Sequence, residues 1–131
     1  MPIKFNHIHI KARDPEKTAD WYGRAFGLKV TERVTRPAGD LFLNCVMLDG
    51  TNLIISGEKI GEQLPAGSSK PRLGLEHFAV DTDDFDRDLA HLKSLGAAVL
   101  DGPVATPTGI RIAFIEAPDD VRIELMWFPP K

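Results

Sequence analysis

One order of patterning runs through this chain twice. From residue 5 the sequence reads as a strand (5–12), a helix (about 15–26) and strands near 28–35, 41–48 and 51–56. From residue 73 it reads again as a strand (73–81), a helix (about 84–95) and strands near 97–101, 109–116 and 121–128. Gly27 follows His7 by 20 residues and Gly96 follows His77 by 19 (27 − 7 and 96 − 77), which marks the two halves as a duplication. A β-α-β-β-β module of this size is too small to hide a sheet face by itself. Two modules must therefore pair, in one chain or across two. The expected architecture is α+β: residues 1–131 as one domain, with a first module at 1–56, a linker at 57–72 and a second module at 73–131. Paired in this way, the strands would form a curved mixed sheet shaped as a cup.

Local signals support the helices. Asp14 is a plausible N-cap, and Pro15 sits at the first helical position, where a missing N–H costs nothing. Thr18, Trp21, Tyr22, Ala25 and Phe26 are spaced along one helical face, and Gly27 supplies the stop. The second helix is expected to be capped by Thr82 or Asp83, to carry Phe85, Leu89, Leu92 and Leu95 on one side, and to end at Gly96. Between the modules, residues 57–72 are rich in Gly, Pro, Ser and charge and show no periodicity.

Composition narrows the function classes. The net charge is −3 with acids and bases interspersed, which argues against nucleic acid or an anionic membrane as the main partner. No apolar run approaches the roughly 20 residues a membrane span needs. No signal peptide is visible at the N-terminus, so the expected location is the cytoplasm. The single cysteine, Cys45, excludes an internal disulfide and lies in an apolar strand, where it reads as buried filler.

Alternation along the strands then selects candidate site residues. Ile8 and Ile10, Phe78 and Val80, and Ile123, Leu125 and Trp127 form the apolar sides that should pack under helices. The same rule turns His7 and His9, His77, and Glu124 to the opposite face. A lone strand histidine is more often structural or solvated than a ligand, and a glutamate in a terminal strand is commonly solvated. What sets this group apart is the match of His7 and His77 in duplicated modules. If the three strands converge, two imidazoles and one carboxylate make a divalent-metal site with coordination positions left for substrate. His9 shares the face of His7 and is either a proton-transfer group or structural. His91, in mid-helix beside Lys93, is expected to face solvent.

Several stretches resemble the vicinal oxygen chelate superfamily, which includes glyoxalase I, fosfomycin-resistance transferases, methylmalonyl-CoA epimerases, extradiol dioxygenases and bleomycin-resistance proteins. They are Asn6-His7-Ile8-His9-Ile10 with Asp14, Trp21-Tyr22-Gly23-Arg24-Ala25-Phe26-Gly27-Leu28, Gly74-Leu75-Glu76-His77-Phe78-Ala79-Val80, and the segment from Ala113 to Leu125, similar to the family's "AFxxDPDGxxIEL". The resemblance covers nearly the whole chain. It implies paired βαβββ modules, a homodimer, and one divalent ion (iron, manganese, zinc, nickel or cobalt) held by His7, His77 and Glu124. One position departs from the pattern. Many glyoxalase I enzymes carry a further carboxylate in the first module, but aligning 49–55 with 119–125 puts Ile54 opposite Glu124, and isoleucine cannot ligate. This puts lactoylglutathione formation in doubt.

Three readings of function follow. The first is a metal-dependent isomerase, epimerase or lyase of glyoxalase type, acting on a small molecule with vicinal oxygens, with Glu124 or His9 as proton carrier. The second is an Fe(II)-dependent extradiol-type dioxygenase, because two histidines and a carboxylate are also the ligand set of non-haem iron oxygenases. The third is a metal-free binding protein of the bleomycin-resistance type.

Overall fold

The computed structural model describes residues 2–131, and the chain divides into two compact units, one reaching to Pro65 and the other starting at Ala66. The first contains β1 (His7–Lys11), α1 (Pro15–Phe26), β2 (Lys29–Thr35), β3 (Leu41–Val46) and β4 (Asn52–Ser56). The second contains β5 (Phe78–Asp81), α2 (Phe85–Ser94), β6 (Ala98–Ala105), β7 (Arg111–Ala117) and β8 (Val121–Trp127). Their sheets have the same order, β1-β4-β3-β2 and β5-β8-β7-β6. In each, the first strand runs parallel to the last and the other pairings are antiparallel. Each unit is thus the β-α-β-β-β module read from the sequence.

The duplication extends to the register. His9 pairs with Ile54 and Ile54 with Asn44; in the second unit Ala79 pairs with Glu124 and Glu124 with Phe114. Every one of these positions is displaced by 70 residues (124 − 54, 79 − 9, 114 − 44). The hairpin turns match too: Arg36 N to Asp40 O and Gly39 N to Arg36 O recur as Thr106 N to Ile110 O and Gly109 N to Thr106 O. Gly39 and Gly109 both adopt a φ of 88°, which a residue with a Cβ adopts only under strain.

Helix α1 starts and ends where its capping residues dictate. The Asp14 carboxylate accepts from Lys17 N at 3.2 Å, and Gly27 closes the helix in a left-handed conformation. Its buried side is Pro15, Thr18, Ala19 and Tyr22, while Trp21, Ala25 and Phe26 are only half-buried. In α2 the N-cap is Asp84, whose side chain accepts from Arg87 N, and not Thr82 or Asp83. Thr82 instead accepts from Asp84 N and donates to Asp88, bracing the turn one step earlier. Phe85, Leu89 and Leu92 are buried as expected, Leu95 half so, and His91 is exposed.

Each sheet buries the face that alternation assigns to its helix. Leu43, Leu53 and Ile55 are sealed in the first unit, as are Ile115 and Ile123 in the second. Fully burying side chains of this size stabilises by about 1.5–3 kcal/mol each. Trp127, expected on the packed side, is half-buried, and so are Ile8, Phe78 and Val80.

Two strands differ from expectation. The segment 73–81 is strand only from Phe78, because β5 is an edge strand with one partner and its ladder begins at the Phe78–Ile123 pair. Conversely β6 runs on to Ala105, beyond 101, and takes in Pro103. An edge strand tolerates a residue without an N–H, and the register shifts between Val99 and Val104 accommodate it. Among the described residues no helix is long and apolar enough to cross a membrane.

Candidate functional site

On the second sheet, β8 presents Arg122, Glu124 and Met126 on the face away from α2, since Ile123 and Leu125 are buried on the other side. Phe114 pairs directly with Glu124 and joins that face from β7. His77 reaches it from the residue before β5, two positions ahead of Ala79, the parallel partner of Glu124. The structure therefore joins His77 to Glu124, with Nε2 3.3 Å from Oε1. The Phe114 ring sits edge-on to the imidazole at 5.0 Å between centroids.

A second carboxylate flanks the same ring. Glu76 Oε1 lies 3.0 Å from His77 Nδ1. A neutral imidazole carries one N–H and so can donate to only one of these oxygens. At the other nitrogen a lone pair faces an anionic oxygen, an arrangement that a further proton or a metal cation relieves. Behind them, Arg122 is only 8% exposed. Its Nη1 donates to Ser69 O at 3.0 Å, and its guanidinium carbon lies 4.2 Å from the Phe114 centroid. Ser69 donates its hydroxyl to Glu116 at 2.5 Å, which ties a residue from the expected linker onto the second sheet.

On the first sheet, His7 and His9 share the face opposite Ile8 and Ile10, with ring centroids 6.1 Å apart. His7 Nδ1 lies 2.7 Å from Asn6 Oδ1, and His9 Nε2 lies 2.7 Å from Ser56 Oγ. Phe42 stands edge-on to His9, and the Arg36 guanidinium lies over the Phe42 ring, 4.8 Å from its centroid. Burial first, then the positive charges of Lys11, His7 and Arg36, hold the His9 pKa below its ordinary value. Ile54 occupies the position equivalent to Glu124, between His9 and Asn44 in the ladder. Ser56, on the same face, is engaged by His9.

His7 and His9 thus belong to the first unit, and His77 and Glu124 to the second. Among the described residues, no three His, Cys, Asp or Glu side chains form one group that could hold a metal ion. In kind, the donors suit one: imidazole and carboxylate are ordinary ligands of first-row divalent metals. The His77–Glu124 pair brings one donor of each kind together, and these two residues could hold part of such a site. Sequence reasoning missed Asn6, Glu76, Ser69 and Arg122, all of which touch these groups or their supports. The one available signal was that Asn6 and Glu76 each precede a candidate histidine.

Comparison with known proteins agrees with the fold. Residues 4–125 match the family model of the Glyoxalase/Bleomycin resistance protein/Dioxygenase superfamily. A lactoylglutathione lyase of Neisseria meningitidis is 29% identical over 130 residues, covering 95% of this chain and 90% of that protein. A glyoxalase family protein of Bacillus cereus has a similar structure, with a TM-score of 0.82 at 15% identity over 97% of this chain and 95% of that one. A mutant of the fosfomycin resistance protein FosX from Listeria monocytogenes, solved with Mn(II) and a dihydroxypropylphosphonic acid, has a TM-score of 0.72 at 16% identity, covering 95% and 90%. With its two β-α-β-β-β units and a match over nearly its full length, the chain belongs to the Glyoxalase/Bleomycin resistance protein/Dioxygenase superfamily.

Proposed function

We propose that this protein is a divalent-metal-dependent enzyme of glyoxalase type, an isomerase, epimerase or lyase acting on a small substrate with vicinal oxygens. His7, His77 and Glu124 are the proposed ligands. The observation that carries the reading is the placement of His77 between two carboxylates, with Nε2 3.3 Å from Glu124. When bound, the ion would supply Lewis-acid stabilisation of negative charge developing on the substrate oxygens.

The chain's own residues would do the rest. Glu124 turns Oε1 to His77, leaving Oε2 to accept a proton from the substrate carbon beside its oxygens. His9 is the other proton carrier. With Nε2 paired to Ser56 Oγ at 2.7 Å, Nδ1 is the ring nitrogen left to carry the proton. Phe42 in the first unit, and Phe114 and Met126 in the second, set apolar surface beside the proposed groups of each sheet. Ile54 supplies no carboxylate, so a substrate other than the one named for the Neisseria relative is favoured.

Proton exchange tests the proposal. The protein loaded with Mn(II), Fe(II), Zn(II), Ni(II) or Co(II) is incubated in D2O with a panel of 2-hydroxy and 2-oxo carbonyl compounds. Enzyme-dependent deuterium uptake at the carbon beside the oxygens, lost in Glu124→Gln or His9→Gln, is expected. Oxygen consumption with catechols and Fe(II) in place of exchange would make the protein a ring-cleaving dioxygenase. Purified protein holding less than about 0.2 metal per chain, without either activity, would make it a binding protein. A homodimer in the cytoplasm completes the proposal, and light scattering of the purified protein checks the stoichiometry.

A further inference from the structure

Glu76 and Arg122 have no part in the chemistry above, yet they account for how His77 is held. In an extended strand, neighbouring side chains point to opposite faces. Residue 76 lies ahead of β5, outside the ladder, and its carboxylate is free to turn onto its neighbour's imidazole. Oε1 meets Nδ1 at 3.0 Å.

That carboxylate is itself anchored. Arg122 is buried, its Nη1 is committed to Ser69 O, and its face rests on Phe114. Its Nε has no hydrogen-bond partner and lies 3.8 Å from Glu76 Oε1. A buried guanidinium requires compensating negative charge, and Glu76 supplies it; Glu116, the cross-strand partner of Arg122, accepts from the Ser69 hydroxyl. Phe114 contacts both the imidazole and the guanidinium, so the three groups pack as one cluster.

The first unit solves the same problem without charge. Asn6, 70 positions before Glu76 (76 − 6), sets its amide oxygen 2.7 Å from His7 Nδ1, and Asn52 stands where the second unit has Arg122. An oxygen at Nδ1 keeps the proton there and leaves Nε2 with its lone pair outward. A carboxylate at that place also makes the imidazole a stronger ligand than an amide does.

We infer that Glu76, held by Arg122, is a positioning residue that fixes His77 with its proton on Nδ1 and its Nε2 lone pair toward Glu124. The inference rests on the ligand role proposed for His77, and its test separates the two. Long-range 1H–15N NMR of the metal-free protein at pH 8, with His77 assigned by comparison with His77→Gln, reads the tautomer. The Nδ1–H form is expected in the native protein and in Glu76→Gln, whose amide oxygen can still accept. Glu76→Leu should give mainly the Nε2–H form and bind Mn(II) about 10–100-fold more weakly by electron paramagnetic resonance titration. Arg122→Met should show a smaller loss of affinity in the same direction. An unchanged tautomer together with unchanged Mn(II) affinity in Glu76→Leu would overturn the inference. If the native protein takes up no Mn(II), the ligand assignment fails, and the tautomer alone decides the role of Glu76.

Discussion

Replacing Leu43 with alanine tests whether the duplicated units solve their packing in complementary ways. Leu43 is 0% exposed at the centre of the first sheet, paired with Ile55 and Arg33. The substitution deletes roughly three methylene equivalents at about 0.8 kcal/mol each, or about 2.4 kcal/mol of transfer free energy. A residual cavity in a site sealed from water raises this to about 3–4 kcal/mol. For a chain of this length that corresponds to a fall in Tm of roughly 10 °C, read by circular dichroism. The second unit carries Ala113 at the equivalent position, also 0% exposed (113 − 43 = 70). On α2, Leu89 stands where α1 has Ala19, and both are buried. The large and small residues have exchanged places. Ala19→Leu alone should overpack and cost about 1–3 kcal/mol. Added to Leu43→Ala, it should restore more than half of the lost stability, a coupling of about 2 kcal/mol or more in the double-mutant cycle. Strict additivity of the two losses would show that residues 19 and 43 do not share a space and would refute the reasoning.

Other outcomes follow from single features. Burial pushes the Cys45 thiol up to about 11, so iodoacetamide at pH 8 should leave it unmodified in the folded protein and label it in urea; rapid labelling of folded protein would contradict its burial. At Gly102, a Cβ would lie 2.8 Å from Ile112 O at a φ of 82°, and Gly102→Ala should cost about 2 kcal/mol in a urea titration. Arg111 holds the Asp86 carboxyl below the usual range, chiefly through its hydrogen bonds. Because the folded pKa is depressed, any stabilisation is present above the unfolded carboxyl pKa and fades as pH falls through the folded value. An NMR titration should show the Asp86 midpoint returning to the ordinary range in Arg111→Met, with little change in overall stability because the pair is exposed.

Legibility in the sequence followed locality. The bounds of α1 could be read because Asp14, Pro15 and Gly27 act on backbone within a few residues of themselves. Alternation placed His7, His9, His77 and Glu124 on the faces away from the helices, since each face is set by residues one and two positions away. It misled on where β5 begins, since Leu73 and Leu75 mimic a strand yet are 100% and 80% exposed. Apolar alternation does not create a partner strand, and the edge ladder starts only at Phe78. The strand expected near 97–101 departs in the opposite sense, running past Pro103 to Ala105, because nothing local announces that β6 lies at an edge. The contacts of Glu76 and Arg122 depend on a side chain leaving the strand pattern and on a linker residue, Ser69, folding back onto β8. Neither has a periodic signature.

A crystal structure of the protein soaked with Mn(II), with the ion located by its anomalous signal, tests the proposed ligand set most directly. The account predicts one site per chain, bonded to an imidazole nitrogen of His7, to Nε2 of His77 and to a Glu124 oxygen at about 2.0–2.2 Å. An ion coordinated without His77 and Glu124, or crystals that take up none, would contradict it.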